Sequence, residues 1–206
     1  MGQPSIKPVL FNTDMVRAIL QGRKTQTRRI IRPHYRDGEA GFYVVTDAST
    51  GDFCYIEYYD EEERGTDRRL CPPYLPGDVL WVRETWVNLP VSPGGHARLM
   101  RGRYYYRADV PDIRPDGWKG NWKPSIHMPK EAARIFLRVK DVRAERLKSI
   151  SWSDAMDEGF SDWCDFVRVW NKTVVKGANH HLYNWEANPW VWVITFERCE
   201  KPEGWP

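Results

Sequence analysis

Two short, almost entirely apolar runs constrain the fold more than any other feature of this sequence. Residues 79–82 read Val-Leu-Trp-Val, and residues 190–196 read Trp-Val-Trp-Val-Ile-Thr-Phe. Runs of this length next to turn residues are typical of strands that are buried on both faces or closed into a barrel. Pro189 lacks a backbone N–H and therefore fits best at the very start of the second strand.

The other elements follow one another without a regular repeat. The pattern predicts a turn at Gly22, a strand that Pro33 ends, a hairpin, an acidic loop over residues 60–67 and one long, bent strand. The predicted helices cover residues 14–21, 151–158 and 163–171, and the predicted strands cover residues 42–45, 53–59, 103–108 and 134–147. Because no βαβ repeat is present, we expect an α+β fold with a small mixed or antiparallel barrel and flanking short helices.

Length and composition exclude several classes of protein. A chain of 206 residues with 41% hydrophobic and 29% charged residues is expected to form one domain with insertions, or two small ones. No apolar run approaches 18 residues, and the N-terminus lacks a secretory pattern, so a cytoplasmic protein without membrane partners is expected. The four cysteines are widely spaced and show no zinc-binding pattern, which predicts reduced thiols.

Charge is distributed unevenly along the chain. The net charge is only +3, but residues 15–36 carry seven basic and no acidic side chains, whereas residues 52–67 carry seven acidic ones and one arginine. Such polarity fits a positive groove beside an acidic loop, or two solvated faces of one surface. The 28 aromatic residues suit base stacking or a tightly packed core, and composition does not choose between them.

The segment from Gly22 to Arg29, Gly-Arg-Lys-Thr-Gln-Thr-Arg-Arg, is the strongest local motif. Burial and neighbouring positive charges would lower the pKa of Lys24, and a lysine of that kind can act as a base or nucleophile. Lys24 and Thr27 reach one site only if the chain turns between them, since residues three apart in a strand face opposite sides. The alternative is a basic helix end that complements the helix dipole.

Two further segments carry candidate site residues. Glu158 precedes Gly159 at the end of a predicted helix, where a carboxylate can be held rigidly or belong to an ordinary exposed helix. Arg83, Glu84 and Trp86 follow the apolar run and could line a pocket, although an adjacent Arg and Glu more often form structural ion pairs. No metal site is predicted, because the histidines lack partners at ligand spacing.

Taken in order, four motifs resemble those of ASCH-domain proteins of the longer kind common in phages and prophages. They are GRKTQTRR, PGDVLWVRETW, RIFLRVKDVRAERLKSISWSDAMDEGF and NPWVWVITFE, and the resemblance spans about residues 9–198. It implies a PUA-like fold, a small β-barrel with flanking helices. It also implies one domain over residues 1–206, with insertions at about 34–74 and 88–125 that could roof a pocket or extend a groove.

The resemblance also implies site residues. Small N4-acetylcytidine amidohydrolases of this family use a Lys, a Thr and a Glu, and these fall on Lys24, Thr27 and Glu158 of this chain. Glu158 would orient Lys24 and pass a proton to the leaving amine, and Arg29 or backbone N–H groups would stabilise the oxyanion. Arginines that would contact nucleic acid or substrate are Arg23, Arg28, Arg29 and Arg83, beside Glu84 and Trp86.

Three functions therefore remain open at the level of sequence. The first is hydrolysis of N4-acylated cytidine without metal or other cofactor, in the cytoplasm of a bacterium or a phage-infected cell. The second is an RNA-binding module that reads RNA or a modified nucleoside without chemistry. The third is a ribonuclease that uses the same basic cleft, ranked lower because no carboxylate cluster suited to a divalent metal is evident.

Overall fold

A computed structural model describes residues 4–33, 37–88, 104–109, 121–174 and 180–206. The chain divides into two compact units and passes between them four times. The first unit comprises residues 1–25, 77–138 and 197–206, and the second comprises residues 26–76 and 139–196. Within the described residues, no helix has the length and hydrophobicity needed to cross a membrane. Whether the units form one domain, as expected from the sequence, stays a prediction.

The first unit contains helix α1, Thr13–Leu20, one residue earlier than predicted. Asn12 caps the helix, because its side chain accepts a hydrogen bond of 2.9 Å from the backbone N–H of Met15. Val16, Ala18 and Ile19 form the buried side. The helix ends at the predicted glycine: Gly22 has a φ of 74° and donates its N–H to the carbonyl of Ile19.

The strands of the first unit are β1, Ile6–Leu10, then β6, Val79–Arg83, and the start of β9, Phe136–Arg146. β6 is central: it pairs in parallel with β1 and antiparallel with β9. Its residues Leu80 and Val82 are fully buried, which confirms the prediction of a strand covered on both faces.

A short hairpin completes the first unit. Strand β7, Trp86–Asn88, pairs antiparallel with β8, Tyr104–Tyr106, inside the predicted strand at 103–108. Trp86 packs on Met128 and Ala132, both fully buried. Most of the expected insertion at 88–125 lies outside the described residues, which include only its residues 88, 104–109 and 121–125.

The second unit combines strands with two helices. β2, Gln26–Ile30, pairs antiparallel with β10, Trp190–Cys199, which in turn neighbours β9. Helices α2, Trp152–Asp157, and α3, Trp163–Val174, cover this sheet. Their buried core consists of Leu147, Ile150, Ala155, Phe166, Trp185, Val191 and Val193. The predicted helices and the terminal strand are therefore present, with ends shifted by a few residues.

The region predicted as a hairpin and an acidic loop is a three-stranded antiparallel sheet. Its strands are β3, Gly41–Thr46, then β4, Phe53–Tyr59, and β5, Gly65–Leu70. The predicted loop over 60–67 is too long at its C-terminal end, because the turn ends at Arg64 and strand β5 begins at Gly65. Strand β5 was not predicted because its charged residues do not give the alternating apolar pattern of a strand. Arg69 packs through its guanidinium instead, 3.9 Å from the ring centroid of Tyr55.

These elements confirm the α+β class. Strands β1 and β6 pair in parallel, whereas the pairs β2–β10, β3–β4, β4–β5, β6–β9 and β7–β8 are antiparallel. Strands outnumber α-helices, ten to three, within the described parts of the chain. The described strands do not form a closed barrel. The finer, PUA-like assignment therefore stays a prediction.

Candidate functional site

Strand β2 is buried on both faces although it is polar. Thr27 lies opposite Ile194 of β10, and Arg28 lies opposite Val193. The two residues face opposite sides, because side chains alternate along a strand. Both are nevertheless buried, with exposures of 3% and 4%. Polar side chains are rarely buried to this degree without partners, so each face of β2 must offer polar groups.

Lys24 belongs to the first unit and is also buried, with an exposure of 2%. The turn after α1 directs the chain here: the backbone N–H groups of Arg23 and Lys24 both donate to the carbonyl of Ala18, at 2.9 and 3.1 Å. The Lys24 ammonium lies 5.4 Å from the ring centroid of Phe11, within cation–π range. Arg23 is exposed and donates to the side chain of Gln21.

Helix α2 holds Glu158 in the second unit. Ser151 and Asp154 form a capping box: the Ser151 hydroxyl accepts the backbone N–H of Asp154, and the Asp154 carboxylate accepts the backbone N–H of Ser151. Glu158 is the C-cap of the helix and donates its N–H to the carbonyl of Asp154 at 2.9 Å. Gly159 then takes a φ of 91° and ends the helix. Glu158 is 3% exposed, so the carboxylate before the glycine is buried rather than solvated.

Arg28 is surrounded by acceptors from three elements of the second unit. Its guanidinium donates to Glu145 of β9 at 2.7 and 3.2 Å, and to Gln26 of β2 at 2.7 Å. It also lies 3.5 Å from both Asp154 and Glu158. The Arg28 side chain has no exposed surface. A buried ion cluster of this kind is stable only when geometry and hydrogen bonds compensate the loss of hydration.

The electrostatics of the cluster favour the ionised form of Asp154. Burial acts to raise the pKa of Asp154, but hydrogen bonds from Ser151 and the charges of Arg28 and Arg143 outweigh it, so its pKa is lowered. Burial lowers the pKa of the Arg29 guanidinium, and electrostatic interactions with Tyr74 and Glu158 only partly oppose this effect. Arg29 therefore senses the charge of Glu158 as well.

Arg83, Glu84 and Trp86 lie in the first unit. Glu84 is fully buried and accepts two hydrogen bonds from Arg134, at 2.8 and 3.0 Å, so its ion-pair partner is not the adjacent Arg83. Arg134 also binds Asp109 and stacks on Tyr106, with 3.8 Å between the guanidinium carbon and the ring centroid. Burial raises the pKa of Glu84, although Arg134 opposes this. Glu84 therefore belongs to a buried ion pair, with Arg134 as its partner.

Arg83 and Trp86 are held mainly by packing. Arg83 donates to the carbonyl of Ile126 and lies over the ring of Trp81. Its Nε and the Nε1 of Trp86 are buried without a hydrogen-bond partner. Trp86 also contacts Tyr104 and lies under the ammonium of Lys123 at 4.9 Å.

The partners of Arg28 are what sequence reasoning missed. Glu145 occupies a charged stretch of β9, and Asp154 lies in the first turn of α2; neither was selected from the sequence as a site residue. The capping-box spacing is a sequence signal for Asp154, but the strand pairing that brings Glu145 to Arg28 is not local. Within the described ranges, no group of three or more His, Cys, Asp or Glu residues is arranged to hold a metal ion.

Comparison with known proteins adds one distant structural neighbour. No protein-family model and no curated protein matches this chain. Among solved structures, it is similar to the crystal structure of protein EF3133 from Enterococcus faecalis V583, which carries the family description DUF984. The two chains are 12% identical, with a TM-score of 0.41, and the match covers 96% of this chain and 81% of that chain. The candidate site therefore rests on the residues and contacts described above.

Proposed function

We propose that this chain is an ASCH-type, PUA-like protein that hydrolyses the N4-acyl amide of a modified cytidine without a metal ion. The observation that carries the proposal is the burial of the three residues that the motif resemblance assigns. Lys24, Thr27 and Glu158 are each at most 3% exposed, although all three are polar. Burying polar and ionisable side chains costs free energy unless partners satisfy them, and such groups gather at functional sites as well as in structural ion-pair networks.

The chemistry assigned to these residues is acyl transfer to water. The Thr27 hydroxyl attacks the carbonyl carbon of the acyl group, and Lys24, three residues earlier in the chain, accepts the hydroxyl proton. The tetrahedral intermediate collapses when the bond to N4 breaks, and N4 leaves as the amine of cytidine after Glu158 relays to it the proton that Lys24 took from Thr27. Water then attacks the acyl-threonine ester, which releases the carboxylic acid and restores the hydroxyl.

Oxyanion stabilisation is assigned to Arg29 or to backbone N–H groups near Gly22. Arg29 is only partly buried, and burial lowers the pKa of its guanidinium, so its charge is poorly hydrated. Donors in such an environment stabilise a developing negative charge more strongly than donors in water.

The first experiment is a chromatographic assay of the purified protein with N4-acetylcytidine. We expect the wild type to release cytidine and Lys24→Ala to release none, while both give the same circular dichroism spectrum. Lys148→Ala is the control, because Lys148 is an exposed lysine whose ammonium forms an ion pair with the exposed Glu186. Release of cytidine by Lys24→Ala at the wild-type rate would exclude this mechanism.

A second candidate, an RNA-binding module without chemistry, is favoured by one specific observation. Two exposed arginines of the second unit stack on aromatic rings: Arg32 lies 5.4 Å from the centroid of Tyr183, and Arg146 lies 4.6 Å from that of Trp190. Alternating cations and rings bind single-stranded nucleic acid through phosphates and base stacking. If the assay shows no hydrolysis, salt-sensitive binding of an RNA oligonucleotide supports this function, and cutting of that RNA indicates a ribonuclease.

A further inference from the structure

Arg28 joins strand β2 to both ends of helix α2. Its guanidinium lies 3.5 Å from Asp154, in the first turn, and 3.5 Å from Glu158, the C-cap that follows the helix. These two acidic residues are four apart and therefore share one side of the helix. The same guanidinium is anchored by Glu145 and Gln26 at 2.7 Å each.

We propose that Arg28 is a positioning residue, which holds the Glu158 carboxylate in place for the reaction, rather than a residue that binds nucleic acid or substrate. The inference rests on the proposed amide hydrolysis. Its geometric basis is the complete burial of the Arg28 side chain, which leaves no surface for a phosphate or a base. A guanidinium is planar and presents its donors in a rigid fork, so anchoring one side by Glu145 fixes where the other side meets Glu158.

Charge supports the same role. Arg28 forms ion pairs with Glu158, Asp154 and Glu145, whereas Arg143 forms ion pairs with only the last two of these carboxylates. Arg143 therefore contributes to the stability of the same cluster through Glu145 and Asp154. This difference separates a positioning role from a purely structural one, because both arginines stabilise the cluster but only Arg28 touches the proposed proton donor.

The matched pair Arg28→Lys and Arg143→Lys tests the proposal with N4-acetylcytidine as the substrate. Lysine keeps the positive charge but loses the planar fork. We expect Arg28→Lys to lower kcat by up to about 100-fold, with KM within about twofold of wild type, because Glu158 is displaced while binding is retained. We expect Arg143→Lys to leave both constants near wild type. Equal losses in the two variants, or a loss confined to KM in Arg28→Lys, would overturn the positioning role.

A second measurement does not depend on activity. A double-mutant cycle combines Arg28→Lys with Glu158→Gln, and the shift in thermal midpoint of the double variant is compared with the sum of the single shifts. We expect a smaller shift than the sum, because either change alone already breaks the contact. Additive shifts would overturn the proposal. If the wild type releases no cytidine, the proposed hydrolysis fails. A non-additive cycle would still show that Arg28 and Glu158 interact.

Discussion

At the scale of single residues, the chain buries more charge than its composition suggests. The second unit encloses Arg28 with Glu158, and the first unit encloses Glu84 beneath Arg134. The two clusters have different exposures. Arg28 has no exposed side-chain surface, whereas Arg134 keeps 27% of its surface in contact with solvent. The first is therefore the better candidate for chemistry that requires a dry environment, and the second is better explained as support for the β7–β8 hairpin.

Removal of Arg134 tests the structural role of the Glu84 pair. We expect Arg134→Met to lower the free energy of unfolding by about 3–5 kcal/mol at neutral pH, because it leaves a buried carboxylate without its partner. Burial already raises the pKa of Glu84, and loss of Arg134 raises it further. Protonation then favours the folded state, so stability falls as pH rises through the folded-state pKa.

The destabilisation of Arg134→Met should therefore be smaller at pH 5 than at pH 7.5, as measured by urea unfolding. Glu84→Gln combined with Arg134→Met is the control, since a neutral amide cannot carry the charge. That double variant should lose the additional pH dependence. An equal loss for Arg134→Met at both pH values would show that packing on Tyr106, rather than the charge of Glu84, accounts for the effect.

At the scale of elements, α2 matters because Glu158 is the C-cap that follows its six residues. A helix this short has little stability of its own and depends on its cap and on tertiary contacts. The Ser151–Asp154 capping box is the cap, and the contact of Asp154 with Arg28 is one of the tertiary contacts. The position of Glu158 is thus coupled to the start of the helix as well as to its end.

Ser151→Ala tests the capping box. We expect the free energy of unfolding to fall by about 1 kcal/mol at neutral pH, with Ser153→Ala, an exposed serine of the same helix, as the control. Hydrogen bonds from Ser151 help to lower the pKa of Asp154, so this stabilisation exists above the unfolded-state pKa and disappears as pH falls through the folded-state value. The difference between the two variants should therefore shrink in acid. A difference that is constant from pH 7 to pH 3 would contradict this.

At the scale of the whole molecule, local signals predicted elements well and long-range partners poorly. The turn at Gly22, the buried strand β6 and the short helix before Gly159 follow from residue types within a few positions. Strand β5 was missed, because charged residues dominate it and Arg69 obtains its packing from Tyr55 on another strand.

The candidate site shows the same division. Lys24, Thr27 and Glu158 belong to short motifs and were selected from the sequence, but the network around Arg28 depends on β9, whose Glu145 lies 117 residues further along the chain. No local pattern specifies a contact at that separation. Sequence reasoning placed Arg28 among the residues that contact substrate, and it did not predict the buried ion pairs of Arg28 with carboxylates of β9 and α2.

Chain continuity leads to a prediction for the molecule as a whole. β9 and β10 each begin in one compact unit and end in the other, so unfolding of either unit interrupts strands that contribute to both. We expect one cooperative transition. Phe166→Ala, a change in the buried core of the second unit, should lower the free energy of unfolding by about 3–5 kcal/mol.

Hydrogen exchange measured by NMR near neutral pH checks this, because the most protected amides report global opening. Phe166→Ala should reduce the opening free energy of the Leu80 amide in the first unit as much as that of the Val193 amide in the second. Both residues are fully buried in central strands, so local fraying does not obscure the comparison. Retention of wild-type protection at Leu80, with loss at Val193, would show that the units unfold independently and that continuity of two strands does not suffice to couple them.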